Sequence, residues 1–389
     1  MNSHFLRAAL IAASALFTMP AAASTEKLLY SFPSNSYPIG RPDQDSNGAL
    51  YGTADGLDGS GAVFRLKEKD GTWRYQTLFD FSGTSGAYPY AGPISDRVTG
   101  ILYGTTTGGG NSGNGTVYSL APARGGWSEA VLHSFSFSHG SYPYPPLLKD
   151  KASGDLYGTT LNGGAYHCGT AFQLAQVNGN WTFSVIYNFQ KGGDACHPTV
   201  QLKPGAQAGT LIGASSGRKG TLFELKRSNG LWSESVIHTF TGSDGEHPYD
   251  IDASHDGTIY GVAYAGGRFG NGVVFQLMPT LNGYTYSVIY DFLGGSDGAF
   301  GVGINYDATT GYLYGTTFSG GSSGNGTIFR LAPSGTGWTE TVLHSFAGAP
   351  NDGGRPYSRP IVDRPTGALY GTTGGGGAND GGTVYMVQP

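Results

Sequence analysis

Side chains that depart from the repeat and can bind anions or transfer protons are concentrated between residues 166 and 268. Arginine binds carboxylates through two parallel hydrogen bonds, and histidine or tyrosine transfers protons once its pKa is tuned. The candidate catalytic residues are His197, His247, Tyr249 and Tyr264. The candidate substrate-binding residues are Tyr144, Tyr166, His167, Arg218, Lys219 and Arg268.

This combination suits a polysaccharide that contains uronic acids. A cation would neutralise the carboxylate, a base would remove the adjacent C–H proton, and an acid would protonate the leaving oxygen. We therefore expect an acidic glycan as ligand, with β-elimination as the chemistry that these residues could perform. A glycosidase is disfavoured because Asp244 and Glu246 are the only close carboxylates of this stretch. Two alternatives stay open: drift in a decaying repeat, and a non-enzymatic glycan- or protein-binding module of the cell envelope.

Two other motifs that suggest chemistry have a simpler explanation as turns. Residues 108–115 (GGGNSGNG) are as glycine-rich as a phosphate-binding loop, and residues 213–217 and 320–324 fit G-x-S-x-G. Both kinds of site need a turn that opens a helix. Here the sequence on either side is typical of strands, so we interpret these segments as hairpin loops.

An internal repeat determines the expected architecture. The tripeptide Leu-Tyr-Gly, or a near copy of it, occurs seven times at intervals of 48 to 56 residues. Its central residues are Tyr51, Tyr103, Tyr157, Ile212, Tyr260, Tyr314 and Tyr370. Such a period is close to that of kelch propeller blades. The fold class is therefore all-β, a seven-bladed β-propeller that occupies residues 24–389 as one domain.

Each repeat predicts four antiparallel strands, named A to D in chain order. In the second repeat they cover residues 92–96, 101–105, 116–120 and 127–135. The chain starts with a segment that matches strand D, residues 26–32 (EKLLYSF), and ends after a strand C at residues 382–387 (GTVYMV). Pairing these two segments closes the ring and removes both unpaired sheet edges.

These motifs resemble the GloVer-type tandem-repeat family of secreted bacterial proteins. The matching segments are residues 313–317 (LYGTT), residues 326–329 (GTIF), Trp338, and residues 342–346 (VLHSF). Similar words cover nearly all of residues 26–387. The resemblance implies a repeat scaffold and export, and it supplies no catalytic motif.

The loops between strands D and A carry an aromatic–Pro word on one face of the expected ring. Examples are Tyr37-Pro38, Tyr88-Pro89-Tyr90, Tyr142-Pro143-Tyr144, His197-Pro198, His247-Pro248-Tyr249 and Pro356-Tyr357. These rings either lock the loop beside the proline or form a stacking platform for sugars. In strand D, His133, His238 and His344 stand where other repeats have Phe or Tyr, so we expect them to be packed rings.

The N-terminus and the cysteines predict the compartment. Arg7, the apolar residues 8–17 and the alanines at 21–23 form a signal peptide pattern over residues 1–23. We therefore expect a secreted or periplasmic monomer that is not inserted in a membrane. In such an oxidising compartment Cys168 and Cys196 should form a disulfide.

Charge and composition exclude some ligands. A net charge of −5 without a basic stripe disfavours nucleic acid. No cofactor or metal is expected, although Ca²⁺ at Asp244-Gly245 stays open.

Overall fold

A computed structural model describes residues 24–55, 59–192, 195–335 and 337–389. The expected signal peptide lies outside the described residues. Within these ranges no helix is long and apolar enough to span a membrane. Three short 3₁₀ helices are present, at Gly83–Ser85, Phe137–His139 and Gly295–Asp297.

The described strands form seven antiparallel sheets, which are the blades of a propeller. Blade 1 contains β2 (Asp43–Gln44), β3 (Leu50–Ala54), β4 (Ala62–Lys69) and β5 (Thr72–Asp80). Blade 2 contains β6 (Ile94–Ser95), β7 (Leu102–Thr106), β8 (Thr116–Ala123) and β9 (Gly126–Ser134). Blade 3 contains β10 (Leu148–Lys149), β11 (Leu156–Thr160), β12 (Thr170–Val177) and β13 (Asn180–Asn188). Blade 4 contains β14 (Lys203–Pro204), β15 (Thr210–Ser215), β16 (Thr221–Ser228) and β17 (Leu231–Thr239).

The last three blades have longer inner strands. Blade 5 contains β18 (Glu246–Ala253), β19 (Ile259–Ala265), β20 (Val273–Thr280) and β21 (Gly283–Asp291). Blade 6 contains β22 (Ala299–Asp307), β23 (Tyr312–Ser319), β24 (Thr327–Ser334) and β25 (Gly337–Ser345). Blade 7 contains β26 (Gly353–Pro356), β27 (Ile361–Val362), β28 (Leu369–Gly376) and β29 (Thr383–Gln388), and β1 (Thr25–Ser31) is its outermost strand.

The ring closes as the repeat predicts. Strand β1 pairs antiparallel with β29, from Thr25 opposite Gln388 to Ser31 opposite Thr383. The first described strand is therefore strand D of blade 7. The prediction of seven blades, each with strands A to D in order, is confirmed. In blades 1 to 4 strand A is only two residues long, which is shorter than the sequence suggests.

The glycine of the repeated tripeptide makes space for an aromatic ring. A Cβ atom on Gly158 would lie 2.4 Å from Cζ of Phe172 in the adjacent strand C. The ring of Phe172 in turn meets Phe135, which follows strand D of the preceding blade, with centroids 5.2 Å apart. Because the glycine has no side chain, three layers fit into one seam between blades.

This ring contact recurs at all seven seams. Its centroid distances lie between 4.9 and 5.6 Å, and the planes are steeply inclined, as aromatic pairs prefer. The pairs are Phe32–Phe64, Phe81–Tyr118, Phe135–Phe172, Phe189–Phe223, Phe240–Phe275, Phe292–Phe329 and Phe346–Tyr385. The phenylalanine that closes each strand D is thus the main wedge between neighbouring blades.

The histidines of strand D pack as flat rings, as expected. His133 stacks on Phe183 of the next blade at 3.6 Å, and His238 stacks on Tyr286 at 3.8 Å. Burial lowers the pKa of His133 to about 4, so its imidazole is neutral near pH 7. His344 packs edge-on against Phe346 and contacts Asp352.

At the seam between blades 5 and 6, a glutamate replaces the strand-D ring that stacks on a histidine at other seams. Glu340 occupies in blade 6 the position of Tyr286 in blade 5, because each lies opposite the equivalent leucine of strand C. One oxygen of Glu340 is shielded from solvent and has no hydrogen-bond partner among the described residues. Burial and the charge of Asp297 raise the pKa of Glu340 to about 7.

Deleting residues 24–32 tests the ring closure. The deletion removes the partner of β29 and the contact of Phe32 with Phe64, so blade 7 is left with an unpaired edge. We expect loss of a single cooperative melting transition or aggregation, measured by calorimetry and light scattering. A truncated protein that melts like the mature chain would contradict closure by β1.

Replacing Glu340 by Gln tests the buried carboxyl. Its pKa is higher in the folded state than the ordinary value of 4.5, so the fold loses stability as the pH rises from about 4.5 to about 7. We expect Glu340→Gln to melt like the wild type at about pH 4 and at a higher temperature at about pH 8. The exposed Glu68→Gln is the control, and an equal shift at both pH values would refute the assignment.

Candidate functional site

The D–A loops build two concentric rings on one face, which we call the D–A face. The outer ring consists of the first residue of each aromatic–Pro word or its equivalent: Tyr37, Tyr88, Tyr142, His197, His247, Phe300 and Arg355. The inner ring lies two residues further along the chain: Ile39, Tyr90, Tyr144, Thr199, Tyr249, Val302 and Tyr357. The sequence motif did not reveal Phe300 and Arg355 as members of this ring. Phe300 is followed by Gly301 where other blades have proline, and the residue before Pro356 is Arg355, which is not aromatic.

The backbone of the outer ring joins neighbouring blades. All seven residues have positive φ, between 37° and 62°. Six of them donate their N–H to a carbonyl in the preceding B–C loop, as His247 does to Lys219 at 2.7 Å. The proline that follows packs against the glycine before strand C, where a Cβ on Gly220 would approach Pro248 Cδ to 2.3 Å. The backbone and the proline of each aromatic–Pro motif therefore hold the D–A loop against the preceding blade.

The side chains of the same word stay available. The rings of Tyr37, Tyr88 and Tyr142 are 43%, 46% and 51% exposed, and Tyr88 lies parallel to Tyr90 at a centroid distance of 6.4 Å. Tyr90 in turn contacts Tyr144 at 5.8 Å. Large exposed rings in a row on a polar surface indicate a place for a flat ligand.

The inner ring surrounds a shallow pit at the mouth of the channel. Six of its residues line a cavity of about 80 Å³, and Tyr90 stands beside Tyr144 at its edge. The phenols of Tyr144 and Tyr249 are close neighbours in this pit. Burial, together with the neighbouring phenols, raises the pKa of Tyr249 well above 10, so both groups are neutral hydrogen-bonding hydroxyls.

A buried cluster of charges lies beneath this pit. Arg359 contacts Asp250 at 3.1 Å and Asp252 at 3.0 Å, and Lys203 contacts Asp252 at 3.0 Å. Gln201 accepts hydrogen bonds from Lys203 and from Arg359. Burial alone would raise the pKa of Asp252, but the two cations hold it below its ordinary value. These residues all belong to, or closely precede, the innermost strands.

Sequence reasoning missed this cluster, although a signal was present. Its members lie three to six residues after the outer-ring residues His197, His247 and Arg355, which places them in or just before strand A. Since strand A is the innermost strand, such charges must face the channel. Arg41 and Gln201 line both the pit and a second cavity, so the cluster lies between the two ends of the channel.

The channel widens towards the opposite face, which carries the A–B loops. This cavity of about 1200 Å³ is lined mainly by the turns between strands A and B. An aspartate recurs in these turns and accepts backbone N–H groups, as Asp150 does from Ala152 and Ser153. Asp96 is paired with Lys149 at 2.5 Å, which lowers its pKa to about 2. The aspartates thus shape the turns.

The structure divides the predicted site residues into three groups. Tyr144 and Tyr249 belong to the inner ring, with Tyr264 in contact with Tyr249 at 6.0 Å. The exposed outer group consists of Tyr166, His167, Arg218, His247 and Arg268. Two predicted residues are engaged by the protein itself: Lys219 contacts Glu246 at 3.1 Å and the Thr241 carbonyl at 2.8 Å, and His197 Nδ1 lies 2.9 Å from the Leu161 carbonyl.

The disulfide between Cys168 and Cys196 is confirmed. It joins the B–C loop of blade 3 to the D–A loop that leaves the blade, next to His167 and His197. Asp244, considered for Ca²⁺, uses one oxygen to accept from Thr241 and the other to contact His238 at 2.9 Å. The protein therefore already occupies this carboxylate with its own groups.

Comparison with known proteins identifies the family. The model of the Gloeobacter/Verrucomicrobia repeat matches residues 12–216 and 197–389. The chain belongs to this repeat family. A search of curated proteins gave no match.

Solved structures resemble the family member in fold alone. A putative 6-phosphogluconolactonase from Bacteroides fragilis has 14% identity and a TM-score of 0.55, over 83% of this chain and 86% of that one. A putative 6-phosphogluconolactonase from Bacteroides uniformis has 12% identity and a TM-score of 0.53, over 78% and 83%. The extracellular domain of a putative one-component system from B. thetaiotaomicron has 11% identity and a TM-score of 0.58, over 93% of this chain and 40% of that one.

Replacing Arg359 by Met tests the charge cluster. The change leaves Asp250 and Asp252 buried with one cation fewer, so we expect destabilisation of about 3–5 kcal/mol in urea unfolding. Adding Asp250→Asn should recover part of the loss, because it removes the uncompensated charge. Arg355→Met, in the exposed outer ring, is the control. A stable Arg359→Met protein would show that the cluster does not hold the channel together.

Proposed function

We propose that the protein binds an acidic polysaccharide on the D–A face without cleaving it. The observation that carries the proposal is the row of exposed tyrosines in the outer ring beside the inner ring of tyrosine hydroxyls. Sugar rings present one apolar face and a rim of hydroxyls, so exposed aromatic rings next to fixed polar groups are complementary to them.

The charges of the rim favour an acidic glycan over a neutral one. Arg218, Arg268 and Arg355 are exposed on this face. Nearby, Asp244 and Glu246 are already paired with His238 and Lys219. Cations therefore remain for a ligand, and a guanidinium suits a uronate carboxylate because it offers two parallel donors.

Binding is supported better than β-elimination. Tyrosine acts as a base only when its pKa is lowered towards neutrality, whereas burial raises the pKa of both Tyr249 and Tyr264. Among the described residues, no hydrogen bond or ring contact joins His197 or His247 to Tyr144 or Tyr249, and His197 Nδ1 lies beside the Leu161 carbonyl instead. The proposed role is therefore recognition or assembly of an acidic polysaccharide at the cell surface.

Export is part of the same proposal. A disulfide persists in oxidising compartments, and Cys168 and Cys196 are bonded. Together with the signal peptide pattern of residues 1–23, this supports a secreted or periplasmic protein. The ligand is then a polymer of the envelope or of the surroundings of the cell.

Affinity electrophoresis tests the proposal with polygalacturonate, alginate and neutral dextran as probes. We expect slower migration in the acidic gels than in dextran. Tyr142→Ala and Arg268→Ala should each weaken retention about three- to tenfold, the scale of one stacking or ion-pair contact. The effect of the Arg change should shrink with added salt.

Matched controls distinguish the two faces. Arg97→Ala and Lys151→Ala remove exposed cations from the A–B face and should leave retention unchanged. All these variants should melt within about 2 °C of the wild type. Retention that depends on the control residues would move the site to the A–B cavity. An increase in the ultraviolet absorbance of unsaturated uronate would restore the lyase hypothesis.

A further inference from the structure

The seam at which the ring closes contains one histidine and two carboxylates from three separate segments. Glu26 lies on β1, His344 on β25, and Asp352 in the loop that leads to β26. One potential ligand atom from each of them lies within 4.8 Å of the other two. His344 Nε2 is 3.0 Å from Asp352 Oδ2.

The surroundings hold Asp352 in place but leave one oxygen of Glu26 without a hydrogen-bond partner in the part of the chain that the structure describes. Asp352 accepts N–H groups from Ala347 at 2.7 Å and Gly353 at 2.6 Å, which fixes its carboxylate. One oxygen of Glu26 is shielded and has no hydrogen-bond partner among the described residues. The buried hydroxyl of Tyr385 nearby also has none. The His344 and Asp352 side chains are 19% and 13% exposed, so an ion can enter.

The corresponding groups at the neighbouring seams differ. Between blades 4 and 5, His238 contacts Asp244, but the third position is Tyr286, which stacks on the imidazole. Between blades 5 and 6, Glu340 and Asp297 are present, but the imidazole is replaced by Tyr290, whose hydroxyl donates to Asp297. At these three seams, only the closing one has the imidazole and both carboxylates.

The charges of the closing seam favour a cation. Two carboxylates face one imidazole, and one oxygen of Glu26 has no hydrogen-bond partner within the described ranges. A partly buried carboxylate of this kind is stabilised by a proton or by a metal ion. One imidazole nitrogen and two carboxylate oxygens are common ligands of zinc, which keeps a water molecule as its fourth ligand.

We propose that Glu26, His344 and Asp352 bind one divalent transition metal ion that fastens the N-terminal strand to blade 6. In a tetrahedral site with bonds of about 2.0–2.2 Å the ligand atoms lie about 3.3–3.6 Å apart, so binding requires side-chain movements of up to about 1.5 Å. The sequence alone predicted no metal ion. The proposed ion would join β1 to β25, two strands that are more than 300 residues apart, and would so stabilise the closed ring.

Metal titration of the mature full-length protein tests the proposal. After treatment with EDTA, we expect calorimetry to show one more Zn²⁺ site in the wild type than in His344→Tyr, which reproduces the seam between blades 5 and 6. Glu26→Gln should weaken that site at least tenfold. Zn²⁺ at about a hundredfold excess over its Kd should raise the melting temperature of the wild type by about 3–5 °C and not that of the variants.

Control variants and a spectroscopic signature complete the test. His238→Tyr makes the same change at the seam between blades 4 and 5 and should keep the Zn²⁺ response. Co²⁺ should show the intense visible absorption of a four-coordinate site in the wild type and in His238→Tyr. Equal stoichiometry in the wild type and His344→Tyr would overturn the proposal. So would a response to pH alone, with Glu26→Gln stabilising the protein at about pH 8 and no effect of metal.

Discussion

The wedge of a phenylalanine between neighbouring blades is the contact on which the rest of the structure depends. Each strand D ends in a ring that meets a second ring in strand C of the next blade, above a glycine of strand B. A Cβ on that glycine would overlap the second ring, and overpacking of this kind typically costs about 1–3 kcal/mol. The repeated tripeptide therefore encodes the packing distance between blades as well as a strand.

The dependence on this contact explains why the fold could be predicted from the sequence. The glycine of the repeated tripeptide and the terminal Phe are needed in every blade, so their period was visible without any knowledge of function. Ring closure followed from the same words, because residues 26–32 supply the wedge Phe32 that blade 1 needs. The strand-D histidines were also predictable, since their position must hold a flat ring.

The candidate site was only partly predictable, because two kinds of signal overlap in the D–A loops. The backbone and proline of each aromatic–Pro motif are fixed by the contact with the preceding blade, whereas most side chains of the outer ring, such as those of Tyr37, Tyr88 and Tyr142, are exposed. Lys219 was assigned to a ligand, but Glu246 and Thr241 hold it. The charge cluster around Arg359 was missed because a short strand shows no periodicity from which its inward side could be deduced.

The division between clamped backbone and free side chain gives this scaffold a surface that can change without cost to the ring. At the outer ring, Tyr, His, Phe and Arg all accept the same positive φ and the same N–H bond, so substitution there changes the exposed surface and not the seam. The pairing of β1 with β29 is different, because these strands come from opposite ends of the described chain and no short loop joins them. Its entropy of closure is larger than that of strand pairs that are joined by a hairpin. A strand held in this way benefits most from an added contact, and Glu26 on β1 is placed with His344 and Asp352 where such a contact acts directly on it.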